Sequence, residues 1–162
     1  MRQQREEAFD AAFERLRRRA YRVAYRLLGD DADAQEIAAE ALARAYSRWR
    51  TVADHAEPWV VTVATNLALD RGRRDTRARR HRAELAEPVG SLDRYAEERL
   101  DLQQALRALP QRQREVVALR FLADWSAEDV AFALGLSVGT VKSHTSRGLQ
   151  RLRTLVVQEV DR

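Results

Sequence analysis

The sequence contains no cysteine, which excludes a disulfide framework, a thiolate metal site and a cysteine nucleophile. Its three histidines, His55, His81 and His144, are too scattered for a zinc cluster, and no metal or cofactor is expected. Three prolines and six glycines in 162 residues leave few turns, and text rich in Ala, Arg, Leu and Glu favours an all-α chain. No apolar run approaches the roughly 20 residues that a bilayer span needs. The first residues form no signal-peptide core, so a soluble cytoplasmic protein is expected. Lysine is nearly absent too: 29 Lys+Arg comprise one lysine and 28 arginines, so the pI reaches 10.1 although the net charge is only +4. Arginine forks onto phosphates and base edges, which keeps nucleic acid open as a partner without proving it.

Charge divides the chain. Residues 71–82 hold seven arginines against Asp75, whereas 83–101 hold six acids against two arginines, and the reversal contains Pro88, Val89, Gly90 and Ser91. The expected organisation is a helical unit at 5–74, a polar linker of frayed helix and coil at 75–98, and a second helical unit at 99–157. Each unit is small enough to be marginal alone.

In the first unit Phe9, Phe13, Leu16, Ala20, Val23, Ala24 and Leu27 recur as one stripe of a long helix ending at Gly29. Asp31 or Asp33 then caps a second helix with the stripe Ala34, Ile37, Ala41, Ala45 and Trp49. A third helix starts near Pro58, which suits a first turn because it has no amide hydrogen to donate. The β-branched run Trp59–Val63 has no second strand to pair with, so helix is predicted there against propensity.

In the second unit Leu102, Ala105, Leu106 and Leu109 precede Pro110, which opens a helix through Val116, Val117, Leu119 and Phe121. Ser126 caps the next helix, Gly135 stops it, Leu136 plugs the corner and Ser137 caps another: a helix-turn-helix. At about 100° per residue, Val141, Thr145, Gly148, Leu149 and Leu152 face the core. Ser143, Ser146, Arg147 and Gln150 centre on the free side, flanked by Lys142 and His144. That face fits a major groove, where Arg147 forks onto guanine and Ser143 meets a base or phosphate. A small helical bundle with a solvated polar face would share this pattern.

The stretch Leu134-Gly135-Leu136-Ser137-Val138-Gly139-Thr140-Val141-Lys142-Ser143, with Leu109-Pro110 and Arg114 before it, resembles region four of the bacterial extracytoplasmic-function sigma factors. Asp33-Ala34-Gln35-Glu36-Ile37-Ala38-Ala39-Glu40 resembles their region two, and Trp59 through Asn66, Asp70 and Arg73 resemble the helix that engages the minus-ten element. The resemblance covers nearly the whole chain and implies a dissociable specificity subunit of RNA polymerase that melts promoters.

By that resemblance Asp33, Glu36 and Glu40 dock on the clamp helices of the largest polymerase subunit, and the second unit on the flap. On periodicity alone those acids read as a solvated face. His55, Trp59, Asn66, Arg71, Arg73 and Arg74 serve the minus-ten element, with Asn66 beside a base pocket, His55-Ala56-Glu57-Pro58 as a specificity loop and Trp59 mainly a core anchor. Lys142, Ser143, His144 and Arg147 serve the minus-thirty-five element; His144 replaces a commoner arginine and weakens one phosphate contact. An anti-sigma factor is a candidate partner. No large C-terminal regulatory domain is expected after Arg162, so control is expected mostly from outside the chain or from its abundance. Two other classes compete: a stand-alone helix-turn-helix regulator whose N-terminal helices sense a ligand or dimerise, and an enzyme. For the latter Asp70, Asp75, His55 and His81 follow no catalytic spacing, so no enzyme is expected.

Overall fold

A computed structural model gives the fold over residues 2–83 and 94–160. The described residues form α1 (Arg2–Leu28), α2 (Asp31–Ser47), α3 (Trp49–Val52), a 3-10 turn (Ala53–His55), α4 (Ala56–Ala83), α5 (Arg94–Ala108), α6 (Gln111–Val117) running into a π turn (Ala118–Leu122), α7 (Ala127–Leu134) and α8 (Val138–Val160). No strand occurs among them, as the composition predicts.

Helices α1, α2 and α4 make the first unit. The α1 stripe is buried as read, except that Ala12 takes the inward position and Phe13, 37% exposed, sits at the rim with its ring edge-on to Phe9. Gly29 closes α1 at φ +67°, a left-handed conformation that costs glycine little. The cap of α2 is one residue earlier than expected: Asp30 accepts the amide hydrogen of Asp33 at 2.9 Å. Alanines at 34, 38, 41 and 45 keep the buried side of α2 thin, which lets it lie against α1. Trp49 does not extend the α2 stripe but opens the short α3 and meets the ring of Phe9 at 5.1 Å.

The run Trp59–Val63 is helical. Val60, Val61 and Ala64 are fully buried, and the Thr65 hydroxyl donates to the Val61 carbonyl at 2.8 Å, so burial offsets the weak propensity. The helix begins at Ala56, so the expected loop His55–Pro58 is instead the end of a 3-10 turn plus a first helical turn, where proline lacks only an unneeded donor. Helix α4 continues through residues 75–83 and α5 starts at Arg94; the centre of the expected linker, with Pro88 to Ser91, lies outside the described residues.

Helices α5 to α8 make the second unit. Phe121 is 43% exposed; Leu122 is buried in its place, because the π turn changes the winding after Val117. Ser126 caps α7 by accepting from the Asp129 amide at 3.0 Å. Gly135 ends it at φ +64°, with the Leu136 amide donating back to Ala131 at 2.9 Å. Ser137 caps α8 through the Thr140 amide, also at 3.0 Å. Gly148 lets α8 approach α6 closely: a Cβ there would lie 2.8 Å from Val117.

The two units pack on one another, and their buried apolar residues form one continuous core. The seam is polar at its edges. Arg26 donates to the carbonyls of Phe121 (3.0 Å) and Leu122 (2.9 Å) and pairs with Asp124 at 2.8 Å. Arg19 donates to the Ala123 carbonyl at 3.1 Å and pairs with Glu57 at 2.6 Å. These three carbonyls lie where the π turn ends, where a helix leaves acceptors without partners, and arginines of the other unit supply the hydrogens. Gln103 donates to the Leu27 carbonyl (2.7 Å) and Arg107 to the Leu69 carbonyl (2.9 Å).

Candidate nucleic-acid interface

Helix α8 presents Lys142, Ser143, Ser146, Arg147 and Gln150 to solvent, while Val141 is fully buried and Thr145 and Leu149 face inward. The face assigned from periodicity is therefore the free one. Thr145 turns its hydroxyl back onto the Val141 carbonyl at 2.8 Å. His144 stands apart from this face: it is half-buried, with Nδ1 shielded and without a partner, so its ring is held at the flank of the helix.

Helix α4 carries the other set on two stripes. Asn66, Asp70 and Arg73, at i, i+4 and i+7, lie along one exposed stripe. Arg71 and Arg74 line a second groove with Glu36, Glu40, Arg44 and Leu67. There Arg71 pairs with Asp33 and, at 2.9 Å, with Glu36. The hydrogen bond that Arg71 donates to Glu36 is the main cause of its raised pKa; burial opposes, and the charges of Asp33, Glu36 and Asp75 add to the rise. The structure thus joins two sets that the sequence reading kept separate, an arginine expected at the minus-ten element and acids expected at the polymerase. Glu40 pairs within its helix with Arg44 at 2.7 Å.

Trp59 is half-buried and packs on the core, in keeping with an anchor. His55 is exposed at the mouth of a cleft of about 640 Å³ between the units, lined also by Arg19, Glu57, Asp124, Trp125 and Phe132. Asn66 faces the seam too, its Oδ1 accepting from Arg114 at 3.3 Å.

Arg114, prominent in the sequence only as part of a motif, has a structural task as well. Its guanidinium donates to the carbonyls of Leu106 (3.1 Å), Arg107 (3.1 Å) and Leu109 (3.2 Å), holding the end of α5 against α6. Sequence reading missed Gln103 and Arg107. Gln103 is only 3% exposed, a signal visible once α5 is known to carry a polar residue on its inner side.

Residues 12–78 match the model of Sigma-70 region 2, and residues 99–152 that of Sigma-70, region 4. The chain is 33% identical over 156 residues to the ECF RNA polymerase sigma factor SigL of Mycobacterium tuberculosis, covering 86% of this chain and 83% of that one. The chain is a sigma factor of the extracytoplasmic-function group in the sigma-70 family. It is also 38% identical to the RNA polymerase sigma-E factor of Streptomyces coelicolor over 148 residues, or 86% of this sigma factor and 81% of the relative. Among solved structures, the sigma factor RpoE in its co-crystal with the anti-sigma factor NepR from Bartonella quintana matches 95% of this chain and 98% of its own, at 25% identity and a TM-score of 0.49.

The family assignment supports promoter-specific transcription initiation with RNA polymerase and DNA as partners, and does not favour a stand-alone regulator. No described helix is long and apolar enough to cross a membrane. Among the described residues no group of His, Asp and Glu could hold a metal ion.

Proposed function

We propose that this sigma factor reads the minus-thirty-five element through Lys142, Ser143 and Arg147 and the minus-ten element through Asn66 and Arg73, while Asp33, Glu36 and Glu40 face the polymerase clamp helices. The carrying observation is the outward face of α8: cationic and hydroxyl side chains stand free on the second helix of a helix-turn-helix, beginning at a capped N-terminus that favours a nearby phosphate. His144, with Nδ1 shielded, contributes through its exposed edge. Arg74 follows Arg73 as a phosphate contact, whereas Arg71 spends its charge on Asp33 and Glu36 and orients those acids. His55 borders the strand path and Trp59 fixes the start of α4. The chain makes and breaks no bonds; the polymerase does, in the cytoplasm.

Run-off transcription from genomic promoter fragments, with core polymerase and this sigma factor, tests the reading. Discrete start sites that appear only with the sigma factor and vanish with Arg147→Ala are expected. Core enzyme left equally unselective on every template would overturn it.

A further inference from the structure

We infer that the outer face of α1 is a binding site for single-stranded nucleic acid, in which Arg18 and Arg22 hold the sugar-phosphate backbone and Tyr25 stacks on an unpaired base. The inference is independent of the residues assigned to the minus-ten and minus-thirty-five elements.

This face lies opposite the α1 stripe that fills the core. At about 100° per residue, Arg18, Arg22 and Tyr25 fall within about 60° of one another, and all three are exposed. Beside them, toward the start of α2, runs a groove of about 470 Å³ whose walls add Arg17, Tyr21 and Arg26.

Two of these four arginines are already engaged. Arg17 holds Glu14 at 3.1 Å, and Arg26 donates to the carbonyls of the π turn. The other two keep most of their donors. Arg18 donates through Nε to the Glu14 carbonyl at 3.3 Å, and its terminal nitrogens make no hydrogen bond among the described residues. Arg22 reaches Asp124 at 3.8 Å, beyond hydrogen-bond length. Asp31, the carboxylate in the groove, does not compete for them as an acceptor: one oxygen accepts from the Tyr21 hydroxyl and the other from the Gln35 amide, each at 2.7 Å.

The rings point to the ligand. Cations toward the C-terminal end of a helix suit its dipole, and a solvated face would account for the arginines alone. It gives no reason for Tyr25, 46% exposed, to lie stacked on Tyr21 with centroids 5.8 Å apart and planes at 17°. The bond to Asp31 fixes Tyr21 as a back plate, so the pair is set before a ligand arrives and has little freedom left to lose. An unpaired base offers a free π face, which pairing and stacking cover in a duplex, so aromatic rings beside cations suit a single strand. Arg18 and Arg22 stand one turn apart, about 6 Å along the axis, and can meet successive phosphates. An acidic peptide would match the charge but leave the rings unused.

Fluorescein-labelled oligothymidylate and oligouridylate, which carry no promoter sequence, test the site by anisotropy with the full chain over a series of salt concentrations. The tighter of the two identifies the source as melted DNA or transcript. Arg18→Ala with Arg22→Ala is expected to lower the slope of log affinity against log salt by about 1.4, at about 0.7 per phosphate contact. Tyr25→Ala is expected to weaken binding roughly fivefold or more with the slope unchanged, and Tyr25→Phe to keep the parent's affinity. An unchanged slope in the arginine pair, or Tyr25→Ala binding as tightly as the parent, would sink the proposal. So would oligoglutamate competing as strongly as unlabelled oligothymidylate, which would make the face a site for acidic peptide. Asn66→Ala and Arg147→Ala should leave the dependence on Tyr25 in place, which separates this site from promoter reading.

Discussion

Gly148→Ala isolates the packing that sets the recognition helix. In an exposed helix interior the change would stabilise by about 1 kcal/mol, since alanine loses less backbone freedom. Here the new methyl would meet Val117 Cγ2 at 2.8 Å, with its next neighbours, both from Gln113, at 3.9 Å. Ordinary carbon contact is about 3.5–4.0 Å, so one surface must retreat by roughly 1 Å. Val117 is 3% exposed and, being β-branched in a helix, has essentially one rotamer, so α8 itself must move. Overpacking of this kind costs about 1–3 kcal/mol. The net effect is a loss of about 0–2 kcal/mol.

Urea unfolding followed by the fluorescence of Trp125, the one tryptophan of the second unit, measures that loss. The accompanying cycle is more decisive than the single value. Val117→Ala alone creates a cavity and costs about 1.6 kcal/mol or more for two buried methyl groups. In the double variant the new methyl has room, so its combined loss should fall below the sum of the singles by about 1–3 kcal/mol. Duplex binding should track the displacement: weaker with Gly148→Ala, restored in the double variant. A Gly148→Ala protein that gains the full ~1 kcal/mol, with the two changes additive within about 0.5 kcal/mol, would refute the close approach of α8 to α6.

Arg147→Ala is expected to cost about 1–3 kcal/mol at one promoter position, measured by competition among single-base variants; equal weakening on all sequences would make it a phosphate contact. Glu36→Arg with Glu40→Arg should reduce co-elution with core polymerase, and undiminished co-elution would return both acids to a solvated face. Arg71→Ala should destabilise the first unit by about 1–2 kcal/mol in thermal unfolding, because it strips the partners from Asp33 and Glu36. It should weaken single-strand binding less than Arg73→Ala does, and the reverse order would place Arg71 on the DNA.

The helices were legible because their apolar spacing, caps and stops agree. Ser126, Gly135 and Ser137 frame the turn where the sequence puts it, and the inward face of α8 follows the periodicity, with Val141 and Gly148 buried and Thr145, Leu149 and Leu152 half-buried. The misses have local causes. Asp30 outcompetes its two acidic neighbours because its extended backbone (φ −121°, ψ 127°) aims the carboxylate at the Asp33 amide, which a run of aspartates does not reveal. Phe121 turns outward and Leu122 inward in a π turn that no residue type announces. The seam was invisible for a deeper reason. Gln103, Arg107 and Arg26 act by donating to backbone carbonyls of the other unit, and carbonyls carry no sequence signal.

That last point bears on how charge is read in such a chain. Arginine enrichment invites a nucleic-acid explanation, yet Arg19, Arg26 and Arg114 spend donors on helix-end carbonyls, Arg107 on the mid-helix carbonyl of Leu69, and Arg71 on two carboxylates. A guanidinium suits this use because its planar fork reaches several acceptors at once, which an ammonium does less well. Lys142, Ser143 and Arg147 on α8 show no such internal bond and are exposed. What separates a reader from a brace is therefore not its charge but whether the fold has already used its donors. By that criterion the outer face of α8 keeps its donors free, whereas Asn66 Oδ1 on α4 already accepts from Arg114.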